Sequence, residues 1–458
     1  MKILILGAGQ VGASAATQLS REEANDVTVV DINAEVLRDL QDRLDIRTVV
    51  GHAAFPDVLE RAGARDADIV IALTDSDETN MIACQVAYSL FRTPTKIARI
   101  RAAEYMNADK LFAQEGMPVD VRISPEQLVC EYIEQLILYP GALQVLEFAD
   151  DRVRLVGARA DRDGLLVGQQ LKNIKEHIPN TEARIAAIYR EGRSIEPKGD
   201  TVIREGDEVF FIAAREDIRV FMSEMRALED PVRRVVIAGG GNIGLRLAQT
   251  LEQTNSVKII ERDPDRARFI SEQLSKAIVL NGDAANEDLL LEENIDSADV
   301  FCALTNAEEA NILSAMLARR LGAKKVMALI NRPSYAELME SGSIDIAISP
   351  QQITIGSLLA HVRRGDVVKV HALRRGAAEA IEAVAHGASG SSKVVGKTIE
   401  NLKLPKGASI QALVRDEQVI IAHHDTQIQA HDHVIIFLTD RRKVDEVESL
   451  FQVGVSFL

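Results

Sequence analysis

The sequence contains little cysteine, and its basic residues are outnumbered by acidic ones. Cys84, Cys130 and Cys302 are the three cysteines among 458 residues, and no two of them have CxxC spacing. Cysteines that are so few and odd in number predict a reducing compartment and argue against a disulfide framework. The 53 Lys and Arg residues against 69 Asp and Glu give a formal charge of −16. Such a field repels phosphate backbones, which counts against nucleic acid as a partner.

The sequence also lacks long hydrophobic runs. Its apolar runs have the length of strands, far below the roughly 20 residues that a membrane-spanning helix needs. The early run at residues 3–6 is too short for the core of a signal peptide. We therefore expect that, if the chain works at a membrane, it does so from outside the bilayer.

The chain consists of two halves that share a pattern. Motifs of the first half return in the same order in the second, offset by about 230 residues, as Asp31 and Glu261 illustrate. The matched segments are residues 27–31 and 257–261, 51–54 and 282–285, 67–74 and 298–305, and 123–127 and 348–352. Such ordered self-similarity predicts a tandem duplication, with its boundary near Asp230 and Pro231.

Each half alternates short Val/Ile-rich runs with helix-like stretches. In the first half the predicted strands are residues 2–6, 27–30, 47–50, 69–73 and 96–100, with helices over 11–19 and 79–90. That alternation is typical of a parallel sheet covered by helices on both faces. A smaller unit follows, where Gly, Pro and Asp interrupt the apolar runs. We predict an α/β chain of two tandem Rossmann-like, doubly wound parallel-sheet domains (1–124 and 233–352), each followed by a small α+β domain (144–228 and 369–453).

The first candidate site is a glycine-rich loop between the first strand and the first helix. It comprises Gly7, Ala8, Gly9, Gln10, Val11 and Gly12, and Asp31 ends the next strand. In that setting Gly7 permits the tight turn, Gly9 lets a pyrophosphate approach the backbone, and Gly12 allows close helix–strand packing. The helix N-terminus would hold phosphates, while the carboxylate would accept ribose hydroxyls and repel a 2′-phosphate. The pattern favours NAD over NADP; the alternative is that the glycines serve only the turn.

The second half repeats this site. Its loop comprises Gly239, Gly240, Gly241, Asn242, Ile243 and Gly244, and Glu261 takes the place of the acid. The three fingerprint glycines are intact, which predicts a second nucleotide site. Arg262 beside Glu261 leaves the choice of cofactor open. A duplicated copy that has lost its ligand is the alternative.

Further candidate residues follow the fourth and fifth strands. Thr74 and Asp75 lie where a doubly wound sheet places its ligand, so we expect them to line the cofactor. Arg99 is placed to reach a phosphate through paired donors, and a surface ion pair is the alternative. The second half has no arginine at the matching position, so the two sites are expected to differ.

The motifs of common nucleotide-dependent enzymes are missing from the sequence. It contains no Tyr-x-x-x-Lys pair and no GxxxxGK[ST] loop, and the small units hold no His/Asp or His/Arg constellation. We predict that the chain is not an enzyme; a soluble NAD-dependent oxidoreductase and a scaffold with empty loops are the alternatives. The histidines of residues 423–433 are of a type that binds zinc. Asp432 among them corresponds to Asp207, an ordinary turn residue, so no metal site is predicted.

Each half also contains a helix with a strong start signal. Ser124 and Pro125 open the first, with Gln127 completing a capping box, and Ser349 and Pro350 open the second. Apolar residues then recur at helical spacing on both helices. Two interpretations stay open: each helix packs on its own domain, or it crosses over to another copy of the fold.

The order of these motifs resembles that of the RCK (regulator of potassium conductance) family. The tandem glycine loops with their acids, Ala-Leu-Thr at 72–74 and 303–305, the Ser-Pro helix starts at 124–127 and 349–352, and the small units carry the resemblance. It covers essentially the whole chain. By matching position, it implies a first nucleotide site at residues 7–11, Asp31, Thr74, Asp75 and Arg99, and a second at residues 239–244 and Glu261.

The resemblance also implies a function. Tandem proteins of this family are peripheral regulators, which assemble as a homo-oligomeric ring on the cytoplasmic face of the bacterial inner membrane. Their partner is a potassium-translocating integral membrane subunit. NAD or NADH, with ATP and ADP as further candidate ligands, would bind the N-terminal domains and bias the shape of the ring and so the gate.

Overall fold

The computed structural model describes residues 1–22, 25–113, 116–179, 181–227, 229–332, 334–335, 344–363, 366–373 and 378–452. Each of the four predicted domains has residues outside these ranges: 23–24 and 114–115 in the first, 180 and 228 in the second, 333 and 336–343 in the third, and 374–377 and 453 in the fourth. The chain forms two compact units. One comprises Met1–Leu128 with Gln351–Arg363, and the other Val129–Pro350 with Arg364–Leu458.

The first unit contains a six-stranded parallel sheet of order β3-β2-β1-β4-β5-β6. The strands are β1 Lys2–Leu6, β2 Asp26–Asp31, β3 Arg47–Val50, β4 Ile69–Ala72, β5 Thr95–Arg99 and β6 Val121–Ile123. The helices between them are α1 Gln10–Leu19, α2 Ala34–Gln41, α3 Pro56–Arg61, α4 Asp77–Val86 and α5 Ala103–Met106. β4 is buried along its whole length, because helices cover both faces of a parallel sheet. The order places a topological switch point between β1 and β4, where such sheets bind ligands.

Helix α6, Pro125–Leu138, follows this sheet, and an antiparallel sheet of order β10-β9-β11-β8-β7 comes next. Its strands are β7 Ala142–Phe148, β8 Val153–Arg159, β9 Ala183–Arg190, β10 Arg193–Ile195 and β11 Glu208–Ala214, with helices α7 Ile174–His177 and α8 Ile218–Met225. The turn before β11 depends on Asp207, which is buried. Its carboxylate accepts both Nε and Nη2 of Arg190 at 2.8 Å and the amide of Arg204 at 2.8 Å. This aspartate therefore holds a turn.

The second half repeats the parallel sheet as β14-β13-β12-β15-β16-β17. The strands are β12 Arg234–Ala238, β13 Ser256–Glu261, β14 Ile278–Asn281, β15 Val300–Ala303, β16 Lys325–Leu329 and β17 Ile346–Ile348. The helices are α9 Asn242–Leu251, α10 Pro264–Gln273, α11 Glu287–Glu292 and α12 Glu308–Arg320. The two sheets therefore share one strand order, as expected for a duplication.

Helix α13, Pro350–Val362, leads into the second antiparallel sheet, of order β18-β19-β22-β20-β21. Its strands are β18 Val367–Leu373, β19 Ala378–Val384, β20 Ala408–Arg415, β21 Gln418–Ile421 and β22 His433–Leu438, and α14 Val444–Phe451 closes the described chain. Asp432 repeats the turn of Asp207, because its carboxylate accepts Nε and Nη2 of Arg415 at 2.8 and 2.9 Å. This pairing agrees with the turn role predicted for Asp432.

The two antiparallel sheets, both in the second unit, share one hydrophobic core. Leu146 and Phe148 of the first lie in the same buried cluster as Leu373 and Phe437 of the second. Polar contacts join them as well: the amide of Ala149 donates to a carboxylate oxygen of Glu382 at 2.9 Å. The small domains of the two halves are therefore packed together within one chain.

The helices α6 and α13 are exchanged between the halves. Helix α13 from Gln351 onward, with Arg363 after it, belongs to the first unit, where Gln351 Nε2 donates to the carbonyl of Gln10 at 3.0 Å. From Val129 onward α6 belongs to the second unit, where Cys130 Sγ lies 3.5 Å from the carbonyl of Ile243. Of the two interpretations, the crossover is confirmed, and it takes place inside a single chain.

The apolar stripe of α6 is covered within the chain. Ile133 and Leu136 are both fully buried, so a charge at either position would destabilise the fold itself and not only an assembly of chains. Within the described ranges, no helix has the length and hydropathy needed to span a membrane.

Candidate nucleotide-binding sites

Two glycines of the first loop are required by the chain itself. Gly7 has φ +101°, and a Cβ there would lie 2.9 Å from the carbonyl oxygen of Leu73. A Cβ on Gly12 would overlap the carbonyl oxygen of Gly7. The positive φ and the contact with the chain after β4 exclude a side chain at Gly7, and close packing of α1 against the turn excludes one at Gly12. These glycines alone do not require a ligand.

Gly9 is different, because the surrounding chain does not require a glycine there. It is the N-cap of α1 with φ −64°, and a Cβ at this position would meet nothing within 4 Å. The first amides of a helix have no acceptor within it, and they carry the positive end of the helix dipole. No side chain caps α1 at this residue. The space and the donors therefore fit a phosphate group at the end of this helix.

Asp31, the acid predicted to bind ribose, holds the loop in shape. Its Oδ2 accepts the amide of Ala8 at 2.6 Å, and its Oδ1 accepts the amide of Asn33 at 2.7 Å. A carboxylate oxygen has two acceptor positions, so each oxygen can still accept a hydroxyl proton. Asp31 thus orders the turn beside Gly9 and fits a role with ribose at the same time.

The residues after β4 are held by a buried asparagine that the sequence-based site omits. Asn80 Oδ1 accepts the amide and the hydroxyl of Thr74 at 2.9 and 2.7 Å, and Nδ2 donates to the carbonyls of Thr74 and Arg99 at 3.2 and 2.9 Å. The side chain thereby joins the carboxyl ends of β4 and β5. Its repeat partner Asn311 was a visible signal, since it recurs in the matching place of the second half.

Asp77 and Arg101 also shape this edge of the sheet. Asp77 Oδ2 accepts the amides of Arg101 and Ala102 at 2.9 and 2.8 Å, and Arg101 donates to the carbonyl of Asp75. Asp75 therefore contributes its backbone to the turn at the end of β4. Glu308 and Arg332 make the equivalent contact in the second half, where the amide of Arg332 donates to Glu308 at 2.8 Å.

Arg99 lies at the carboxyl end of β5 and faces an acid. Its Nη2 is 3.7 Å from Glu126 Oε1, at the start of α6, and burial lowers the pKa of its guanidinium. Both side chains are mostly buried. In the structure Arg99 therefore makes an ion pair with Glu126, and its contact with a phosphate stays a prediction.

The second loop has the same construction. Gly239 has φ +106°, a Cβ on Gly244 would overlap the carbonyl oxygen of Gly239, and a Cβ on Gly241 would meet nothing within 4 Å. Glu261 accepts the amides of Gly240 and Asp263, both at 2.8 Å. Asn242 and Ile243, which are part of the predicted loop, form the first residues of helix α9. The open space at Gly241 fits a phosphate as that at Gly9 does.

Cysteines and metal-ligating side chains form no second kind of site among the described residues. Burial raises the pKa of the Cys84 and Cys302 thiols to about 12, so both are protonated at neutral pH and unreactive. In the ranges that the structure describes, no group of three His, Cys, Asp or Glu side chains is arranged to hold a metal ion.

Comparison with solved structures identifies the class of fold. The chain is similar to the GsuK RCK domain, with a TM-score of 0.62, 18% identity and coverage of 98% of this chain and 95% of the other. The GsuK channel bound to NAD gives a TM-score of 0.60 at 18% identity, covering 98% and 79%. The architecture is that of a tandem RCK protein.

Sequence comparison then identifies the family. The TrkA-N domain matches residues 3–125 and 235–350, and the TrkA-C domain matches residues 155–226 and 389–452. The Trk system potassium uptake protein TrkA of Halomonas elongata is 59% identical over 457 residues, and that of Vibrio alginolyticus is 57% identical over 459, each covering 100% of both chains. The chain belongs to the TrkA family, whose members are named as potassium uptake proteins and not as enzymes.

Proposed function

We propose that the chain is the regulatory subunit of a Trk-type potassium-uptake system and that adenine nucleotides bound at its two glycine loops control potassium flux. The relatives named TrkA, identical at 57–59% of positions over their full length, support the role in potassium uptake. NAD or NADH is the principal candidate ligand, with ATP and ADP next. The sites proposed are residues 7–12, Asp31, Thr74, Asp75 and Arg99, and residues 239–244 with Glu261.

The observation that carries nucleotide binding is the contrast between the glycines of each loop. Packing requires Gly7 and Gly12, whereas Gly9 faces open space at an uncapped helix N-terminus, and Gly241 repeats this arrangement. A glycine that nothing in the chain requires leaves room for a bound group. Since the N-terminal end of a helix attracts negative charge, a phosphate is the group that fits this space best.

The proposed partner is a potassium-translocating integral membrane subunit of the TrkH/TrkG type. We place the chain in the cytoplasm, as a homo-oligomeric ring on the cytoplasmic face of the inner membrane. The four domains proposed are 1–124, 144–228, 233–352 and 369–453. The formal charge of −16 suits contact with the Lys- and Arg-rich cytoplasmic loops of a membrane protein.

Regulation would follow from unequal binding to two conformations. A nucleotide shifts a conformational equilibrium only by its difference in affinity for the two states. A shift from about 1:99 to 99:1 needs roughly a 10⁴-fold difference. The exchanged helix α13 reaches the first loop, where Gln351 donates to Gln10, so nucleotide at that loop would act directly on an element of the other half.

The test places a carboxylate where the phosphate is expected. In Gly9→Asp the new side chain has free space, and aspartate is a favoured N-cap residue, so the chain should fold and the carboxylate should occupy the helix amides. We expect loss of NADH binding at the first loop by calorimetry, and altered potassium uptake in cells that depend on this protein.

Gly390→Asp is the matched control, because it adds the same charge at a glycine with equally free surroundings. An unchanged number of NADH molecules bound per chain in Gly9→Asp would refute the first site, since the second loop is still expected to bind. Sustained oxidation of NADH with a small-molecule substrate would instead favour the oxidoreductase alternative, and a chain that binds no nucleotide would favour the scaffold.

A further inference from the structure

The rims of the two glycine loops differ in charge. Residues 32 and 36, after the acid of the first loop, are Ile32 and Val36, and Ile32 is 72% exposed. The corresponding positions of the second loop, 230 residues later, carry Arg262 and Arg266. The duplication thus keeps the loop and the acid but replaces two apolar residues by two cations.

Arg266 is fixed against the second loop. It lies in the first turn of α10, and its Nε donates to the carbonyl oxygen of Gly240 at 2.7 Å. The guanidinium carbon also lies over the ring of Phe269, 4.9 Å from its centroid. Since Glu261 accepts the amide of the same Gly240, the arginine and the acid flank one residue of the turn.

Arg262 lies beside the acid and is exposed. Its backbone is fixed by Asn281, whose Nδ2 donates to the carbonyls of Glu261 and Arg262 at 2.9 and 3.1 Å. The backbone of Arg262 is therefore held at the rim of the loop, while its long side chain is exposed to solvent. Asn281 replaces Val50 of the first half, so this support is also particular to the second loop.

We propose that Arg262 and Arg266 make the second loop select an adenine dinucleotide that carries a 2′-phosphate, relative to the first loop. The inference rests on the proposed function, since the ribose must lie beside the acid for its 2′ position to face these residues. Residues 261–266 carry the cations Arg262 and Arg266 beside Glu261, Asp263 and Asp265, and Asp263 is engaged as the N-cap of α10. Residues 31–36 carry the carboxylates Asp31 and Glu35 and no cation. Arginine donors suit a phosphate because several N–H groups can contact it together.

Glu261 does not cancel this preference. One of its oxygens accepts the amide of Gly240 in the loop, and the other accepts the amide of Asp263 at the N-cap of α10, so backbone donors compensate part of its charge. The first loop places Asp31 in the same hydrogen bonds but supplies no cation at positions 32 and 36. Arg262 and Arg266 therefore account for the difference between the two loops in their preference for a 2′-phosphate.

The experiment uses the full chain with one loop blocked at a time. Gly9→Asp leaves the second loop to bind, and Gly241→Asp leaves the first; NADPH and NADH are the probes, because they differ only in the 2′-phosphate. We expect the ratio of NADPH to NADH affinity, measured by calorimetry, to be about tenfold higher at the second loop, the effect of one charge-assisted hydrogen bond.

Exchange of the residues supplies the decisive comparison. In the Gly9→Asp chain, Arg262→Ile with Arg266→Val should lower that ratio to the value of the first loop. In the Gly241→Asp chain, Ile32→Arg with Val36→Arg should raise it. Thermal unfolding of each variant shows that the exchange has not disturbed the fold.

The outcomes separate the inference from the function on which it rests. Equal ratios at the two loops, or ratios that the exchange leaves unchanged, overturn the inference while nucleotide binding stands. If the Gly9→Asp chain binds neither dinucleotide, nucleotide binding at the second loop is itself refuted, and the inference with it.

Discussion

The asparagine that joins β4 and β5 makes a sharp test of how the first site is supported. Asn80 is fully buried and makes four hydrogen bonds of 2.7 to 3.2 Å, three of them with Thr74 and one with Arg99. Asn80→Ala removes all four and leaves two donors and two carbonyls without this partner. At about 1 kcal/mol for each bond, we expect a loss of roughly 4 kcal/mol in the free energy of unfolding.

The measurement is denaturation by urea, followed by circular dichroism because the chain has no tryptophan. Hydrogen exchange should locate the effect, with faster exchange in peptides covering Ile69–Ala72 and Thr95–Arg99. The loss should be accompanied by weaker nucleotide binding, because the turn at Thr74 stands at the predicted ligand edge.

Two further variants control this experiment. Asn311→Ala should cost about the same, since Asn311 makes the same four contacts in the second half at 2.6 to 3.2 Å. Gln85→Ala, on the same helix as Asn80, removes one exposed hydrogen bond to Ser89 and should cost under about 1 kcal/mol. A loss below about 1 kcal/mol in Asn80→Ala would refute the reasoning.

Three other predictions follow from packing and burial. Gly12→Ala forces a Cβ onto the carbonyl oxygen of Gly7 and should cost about 3 kcal/mol. Gly9→Ala adds a Cβ in free space and only weakens the N-cap, so it should cost under about 1 kcal/mol; equal melting temperatures for the two would contradict this. Burial lowers the pKa of His371 from 6.5 to about 4, so the unfolded chain binds the extra proton between these values. The stability is therefore complete above about pH 6.5 and falls toward pH 4, and His371→Gln should remove up to about 3 kcal/mol of that dependence in denaturation curves. Cys84 and Cys302, with pKa values raised to about 12, should resist iodoacetamide at pH 8 in the native protein and react after unfolding; rapid labelling of the native chain would count against it.

Local patterns predicted five of the six strands of the first sheet closely and missed β6, Val121–Ile123. The strands at residues 2–6 and 47–50 have the predicted bounds, and the one predicted at 96–100 is shifted by one residue to Thr95–Arg99. Strands buried on both faces read as continuous apolar runs, which makes them visible in sequence. The helix predicted from residue 79 starts at Asp77 instead, because Ser76 caps it by accepting the amide of Thr79 at 3.1 Å.

The supporting residues of the site were harder to predict. Asn80 does not belong to a nucleotide-binding motif. Its role depends on the carbonyl groups of Thr74 and Arg99, which are 6 and 19 residues away. Likewise, nothing local to Arg266 indicates that its Nε reaches Gly240. Such contacts depend on how strands and helices meet, which composition and spacing do not encode.

The duplication, the glycine loops with their acids and the order of the α/β elements could be predicted from the sequence, because they depend on short-range periodicity and turn chemistry. The half that each crossover helix covers, and the single core of the two antiparallel sheets, became visible only in the folded chain. The apolar stripe of α6 could be buried against either half, since the hydrophobic effect has no preferred direction. The choice was made by long-range contacts, such as Cys130 with Ile243 and Gln351 with Gln10.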